Sequence, residues 1–131
     1  MKEITKQMIH LYNIKDFDFM GYKIFSPKDL SYHHNIIAHR DGGPETIRNG
    51  AILVQHTSHD YLHTIERYDK EIFYKIASEM LDENIKGHLD IYNLRKIRDL
   101  LLYFENEHKY TTTKKGHVLI KSNYITNRID I

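Results

Sequence analysis

The chain has 131 residues, no cysteine, 28% charged residues and a formal net charge of +1. That length suits one domain able to bury a core without disulfides or a structural metal. The near-balanced charge excludes a uniformly basic nucleic-acid binder, so any DNA affinity must come from local patches. The lack of cysteine fits a reducing cytoplasm. The first residues, Met-Lys-Glu-Ile-Thr-Lys-Gln-Met, lack the apolar centre of a signal peptide, and no apolar run approaches the roughly 18 residues of a membrane span. A cytoplasmic protein with no membrane partner is therefore expected.

Residues 2–12 place Ile4, Met8, Leu11 and Tyr12 on one side of a short amphipathic helix. The next segment, from Asp16 to Tyr22, alternates aromatic and polar residues around a glycine. This predicts extended chain, with Tyr22 to Phe25 as an edge strand that Pro27 ends. Phe17, Phe19, Tyr22 and Phe25 are read as packing residues rather than as a base-stacking surface, because their main contribution is buried area.

The chemistry is concentrated between Tyr32 and Glu66, where six of the ten histidines lie. His33 and His34 are adjacent. His59 and His63 are four apart in a segment that Ser58 can cap and Asp60 can open, which predicts a helix over about 59–67 with both imidazoles on one face. Leu30 to Tyr32 and Ala51 to Val54 read as strands, and Asp41-Gly42-Gly43-Pro44 between them as a loop. Strand, loop, strand, helix is the predicted order.

Asp69 then caps a helix with Ile72, Phe73, Ile76, Met80 and Ile85 inward. Lys75, Glu79 and Glu83 form its polar face, with Lys75 and Glu79 spaced to pair, and Gly87 ends it. Asp90 caps another, with Ile91, Leu94, Ile97, Leu101 and Phe104 inward. These helices are read as an antiparallel scaffold, with His88 and His108 on the surface. Residues 109–131 carry Lys109, Lys114, Lys115, Lys121 and Arg128 against Asp130 as the single side-chain acid. Such a segment suits either phosphate contact, as in nucleic-acid binding by Lys114 and Lys115, or a solvated arm.

His33-His34, Asn49 and the helical His59-x-x-x-His63 resemble the motif of the HNH nucleases. Asn-Gly-Ala-Ile-Leu at 49–53 and Tyr-Leu-His-Thr-Ile-Glu at 61–66 are similar to the small bacterial and phage branch of that family. The resemblance implies an α+β chain. A ββα-metal module at 31–68 would follow an N-terminal extension at 1–30 and precede a helical pair at 69–108 and a basic arm at 109–131. It implies catalytic roles for His34, the general base, and for Asn49, which orders the loop beneath it; His33, His59 and His63 would hold one divalent metal. Ala38 stands near where many members carry proline, and the paired cysteines that bind a structural zinc in many members are absent.

The chemical needs of phosphodiester hydrolysis agree: a base near neutral pKa and a cation to offset charge growing on the phosphoryl oxygens. Three imidazoles with open positions suit Mg, Mn, Zn or Ni. Adjacent strand residues face opposite ways, so His33 and His34 can serve one site only if the strand is distorted or ends there. Arg40 and Arg48, on the loop, are either candidate phosphate contacts or exposed loop charges. The expected function is a metal-dependent DNA endonuclease. The alternative is an HNH-like binding protein that inhibits a partner, such as a CRISPR or phage-defence nuclease.

Overall fold

The computed structural model describes residues 1–131. Five helices and a two-stranded antiparallel sheet make a mixed α+β structure: α1 (Glu3–Leu11), β1 (Leu30–His34), β2 (Gly50–Val54), α2 (Asp60–Tyr68), α3 (Lys70–Lys86), α4 (Ile91–His108) and α5 (Ser122–Thr126). No helix is long and apolar enough to cross a membrane.

All five residues of β2 are buried, as its unbroken apolar run requires when both faces of a strand are covered. Its register with β1 sets His33 opposite Ala51 and His34 opposite Gly50. Gly50 has no side chain for a steric reason: a Cβ there would lie 2.3 Å from the Tyr32 ring and 2.8 Å from the Met8 sulfur. One continuous core collects Met8, Phe19, Tyr22, the β2 side chains, Tyr61, Leu62 and Ile65 of α2, and the inner stripes of α3 and α4.

At the N-terminus the buried stripe of α1 is Thr5 and Met8, continued by Tyr12 beyond the helix end, while Leu11 turns outward. Tyr22 to Phe25 forms no strand. Isolated bridges of Phe17 with Lys23 and of Tyr22 with Arg128 stand in its place, because the chain turns at Gly21, which adopts φ +84°. Of the four aromatics, Phe19 and Tyr22 enter the core, Phe17 is half-buried and Phe25 is exposed.

Asp69 accepts from the Ile72 amide and Asp90 from the Tyr92 amide, so both predicted caps form, and Gly87 ends α3 in the left-handed conformation. The helices run antiparallel, stitched by Asn93, which donates to Glu79 and Asp82, and by Lys86, which donates to Asp90 and Asn93. Three predicted facings are corrected. Ile85 and Ile91 lie outward, both exposed on the side of their helix away from the core. Glu83, placed by its charge on the polar face, is fully buried, and burial pushes its carboxyl up to about 10, so it is a neutral acid in the interior. Lys75 pairs with Glu71 at 3.2 Å, not with Glu79, which faces α4.

The C-terminal segment is not a solvated arm. Tyr124 stacks on Tyr61 with ring centres 4.5 Å apart, Leu119 is buried, and the Arg128 guanidinium forks onto Glu105 at 2.6 and 3.0 Å. That pairing removes Arg128 from the free phosphate-binding cations.

Because Ile97 is fully buried and Ile85 is exposed, Ile97→Ala should cost about 2–4 kcal/mol in urea unfolding. Ile85→Ala should stay within about 0.5 kcal/mol of the parent. Equal midpoints for the two variants would contradict these facings.

Candidate functional site

The site begins where β1 ends. His33 is its fourth residue and His34 its last, and both rings line one cleft with His39, Arg40, His59, His63 and Glu66. Termination of the strand at His34 meets the condition under which neighbouring residues can serve one site.

The other side of the cleft is built by the exit from β2. The chain does not start α2 at a capping serine. It makes a wide π-helical turn over Gln55–His59 and passes directly into α2. Ser58 makes no capping bond to α2. Its hydroxyl faces the interior, donates to Asp18 and accepts from the Val54 amide at 3.0 Å. A turn already helical supplies carbonyls to the first amides of α2, so no side-chain cap is needed. His59 closes this turn and His63 follows on the first part of α2, so the two imidazoles come together with ring centres 5.0 Å apart.

His33 completes the group. Its ring lies 5.4 Å from that of His59 and 5.7 Å from that of His63, and the three residues offer ligand atoms all within 4.8 Å of one another. His33 is 4% exposed, and its Nε2 is buried without a hydrogen-bond partner. Burial, aided by His59 and His63, lowers its pKa to about 3, and burial with His63 lowers that of His59 to about 4. Both rings are therefore neutral at pH 7, the protonation state of a metal ligand. Ser31 contacts His59 Nδ1 at 2.6 Å, which fixes the ring and leaves Nε2 free. Glu66 Oε1 lies 3.6 Å from His63 Nδ1. An orphaned buried nitrogen among neutral imidazoles fits a divalent cation.

Asn49 is buried and fully engaged. Its Oδ1 accepts from the Ile36 and Ile37 amides at 3.0 and 2.8 Å, and its Nδ2 donates to the Ile37 and Pro44 carbonyls at 3.0 and 2.9 Å. One side chain thus clamps both ends of the loop that follows His34. Gly43 allows the tightest part of that path, since a Cβ there would lie 1.9 Å from the Ile37 carbonyl oxygen. Tyr32 braces the same loop, its hydroxyl donating to the Thr46 carbonyl at 2.6 Å and accepting from the Thr46 amide at 3.0 Å.

His34 is half-buried, with its ring edge-on to Tyr32 at 4.9 Å and 5.2 Å from His39. Burial first, and then His39, lowers its pKa, which keeps it neutral and able to accept a proton. Arg40 is at the cleft, 3.4 Å from Glu66, while Arg48 is exposed before β2 and does not line the cleft. Lys114 and Lys115 do not line this cleft; they lie in the turn after α4, across a second cleft from α2. Sequence reasoning missed Ser31, Glu66 and His39. The first two had a signal: Ser31 is two residues before His33 on a strand, and Glu66 is three after His63 on a helix, so each shares a face with a histidine already singled out.

The lowered values of His33 and His59 carry a sign for stability. Below the ordinary value of 6.5 the unfolded chain takes up protons that these buried rings refuse, so the folded form loses stability as pH falls from 6.5 towards 3. With chelator present, the urea midpoint should drop between pH 7 and pH 5. A His33→Leu, His59→Leu variant should lose less over the same interval; an equal loss would exclude this account.

Comparison of the chain with protein-family models, with the curated proteins and with the solved structures finds no match.

Proposed function

We propose that this chain is a metal-dependent DNA endonuclease of the HNH type, with residues 31–68 as a ββα-metal module. The observation that carries the reading is the convergence of His33, His59 and His63 within 4.8 Å, in a cleft that His34 also lines. The loop clamp of Asn49 and the order strand, loop, strand, helix support it.

In this reading His33, His59 and His63 would hold one divalent ion, of the class Mg, Mn, Zn or Ni. An ion held there would supply positive charge against the negative charge that develops during attack on phosphorus. His34 takes a proton from the water whose oxygen forms the new bond to phosphorus. The bond from phosphorus to the 3′ oxygen breaks, and that oxygen is protonated by solvent. Asn49 keeps the loop after His34 in place, and thereby the base itself. Arg40 stands at the cleft where a phosphate flanking the scissile bond would pass.

Calorimetry should find about one divalent ion per chain. His59→Ala or His63→Ala should weaken binding sharply, and affinity should fall as pH drops towards about 4 and then about 3, where His59 and His33 take up protons. Unchanged binding in the double variant would remove the ligand assignment.

His34→Ala should keep fold and ion while cleavage of plasmid DNA falls roughly 10²- to 10⁴-fold. Asn49→Ala should lose part of the rate and some stability, since its buried partners are left unpaired. A parent protein that cuts no DNA with any of these metals would overturn the enzyme reading. Inhibition of a CRISPR or defence nuclease by both the parent and His34→Ala would then favour the binding-protein alternative.

A further inference from the structure

Helix α2 divides two clefts. His59, His63 and Glu66 face the histidine cleft, whereas Asp60, Thr64 and Arg67, one step round the helix, line a second one. The far wall of that second cleft is a tight turn over residues 111–119. A bridge pairs Thr112 with Val118, the Thr113 amide donates to the His117 carbonyl at 2.8 Å, and the Gly116 amide donates to the Thr113 carbonyl at 2.9 Å. Lys114 and Lys115 form the tip of this turn, and Lys121 follows it.

The chain leaving the turn packs on α2. Leu119 is buried beside it, Tyr124 stacks on Tyr61, and the Tyr124 hydroxyl donates to Asp60. The charge is one-sided. Arg67, Lys114, Lys115 and Lys121 face a single carboxylate, Asp60, which lies 3.5 Å from Lys121. Arg67, Lys114 and Lys115 have no carboxylate within 4 Å. A local surplus of three positive charges in a chain whose net charge is +1 leaves the rest of the molecule net acidic. A pre-formed cationic groove with hydroxyls on its walls, one helix width from the candidate metal site, matches a sugar-phosphate backbone.

We infer that the groove between α2 and the 111–119 turn binds the phosphodiester backbone of a DNA strand, several nucleotides from the point that enters the histidine cleft. The groove deepens the nuclease reading and rests on it for the identity of the polyanion. The contacts are to phosphate, so the groove adds affinity and register without base preference. Its three unpaired cations should dominate the salt dependence of binding.

The test is fluorescence anisotropy of a labelled 20-mer DNA duplex, with chelator present so that no cleavage intervenes, across a salt series. An Arg67→Ala, Lys114→Ala, Lys115→Ala variant should bind more weakly, with the slope of log affinity against log salt reduced by about 2–3. Removing the same charge elsewhere, with Lys6→Ala, Lys23→Ala and Lys28→Ala, should leave that slope near the parent value. Its exposed positions make no ion pairs. An unchanged slope in the groove variant, equal losses in both variants, or a parent that binds no DNA would each overturn the proposal. A parent that binds through the groove yet never cuts would uphold the groove and refute the nuclease reading. A parent that cuts while the groove variant binds as well as it does would do the reverse.

Discussion

The buried carboxylate of Asp18 is the constraint on which the geometry of the histidine cleft rests. It lies in the segment after α1, far in sequence from any histidine of the cleft, and accepts from the Met20 and Tyr22 amides with one oxygen and from the Val54 amide and the Ser58 hydroxyl with the other. Val54 ends β2 and Ser58 lies within the π-helical turn, so a single side chain ties the two ends of the bend that delivers His59 and His63. Burial raises its pKa to about 6, and the four donors pull against that rise, so the group is a carboxylate at neutral pH. A wide turn leaves backbone groups poorly paired, and it persists where surrounding contacts over-determine it.

Two buried polar groups thus do complementary work. Asp18 sets the helical side of the cleft, and Asn49 sets the loop side by clamping residues 36, 37 and 44. Between them His33 is forced into the interior with its Nε2 unpaired. An unsatisfied buried nitrogen is costly. A cation taking that lone pair would remove the cost. On the proposed reading, the cluster is a ligand set rather than core packing.

The C-terminal segment illustrates how composition and packing divide the labour. A run rich in lysine reads as a solvated arm, yet the aromatic and apolar residues interspersed in it, Leu119 and Tyr124 above all, anchor it on α2 and leave the lysines at the tip of a fixed turn. Charge that would be diffuse on a loose tail is thereby concentrated against one helix, where it acts as a field rather than as scattered points.

What the sequence determined by itself is whatever depends on spacing within one element. Asp69 and Asp90 as caps, Gly87 as a helix end, the fully buried β2, the inner stripe from Leu94 to Phe104 and the shared face of His59 and His63 all follow from neighbours a few residues apart. Tertiary structure decided the rest, because it depended on groups brought together over long separations. Ser58 looked like a cap and became a partner of Asp18, because 40 residues of chain fold back to place a carboxylate beside it. Glu83 looked exposed and is buried as a neutral acid, and Arg128 looked free and is spent on Glu105, 23 residues away. The approach of His33 to His59 and His63 belongs to the same class. The residue types were legible from the spacing of the motif. Their distance was set by the pairing of β1 with β2 and by the turn that leads into α2, which local periodicity does not encode.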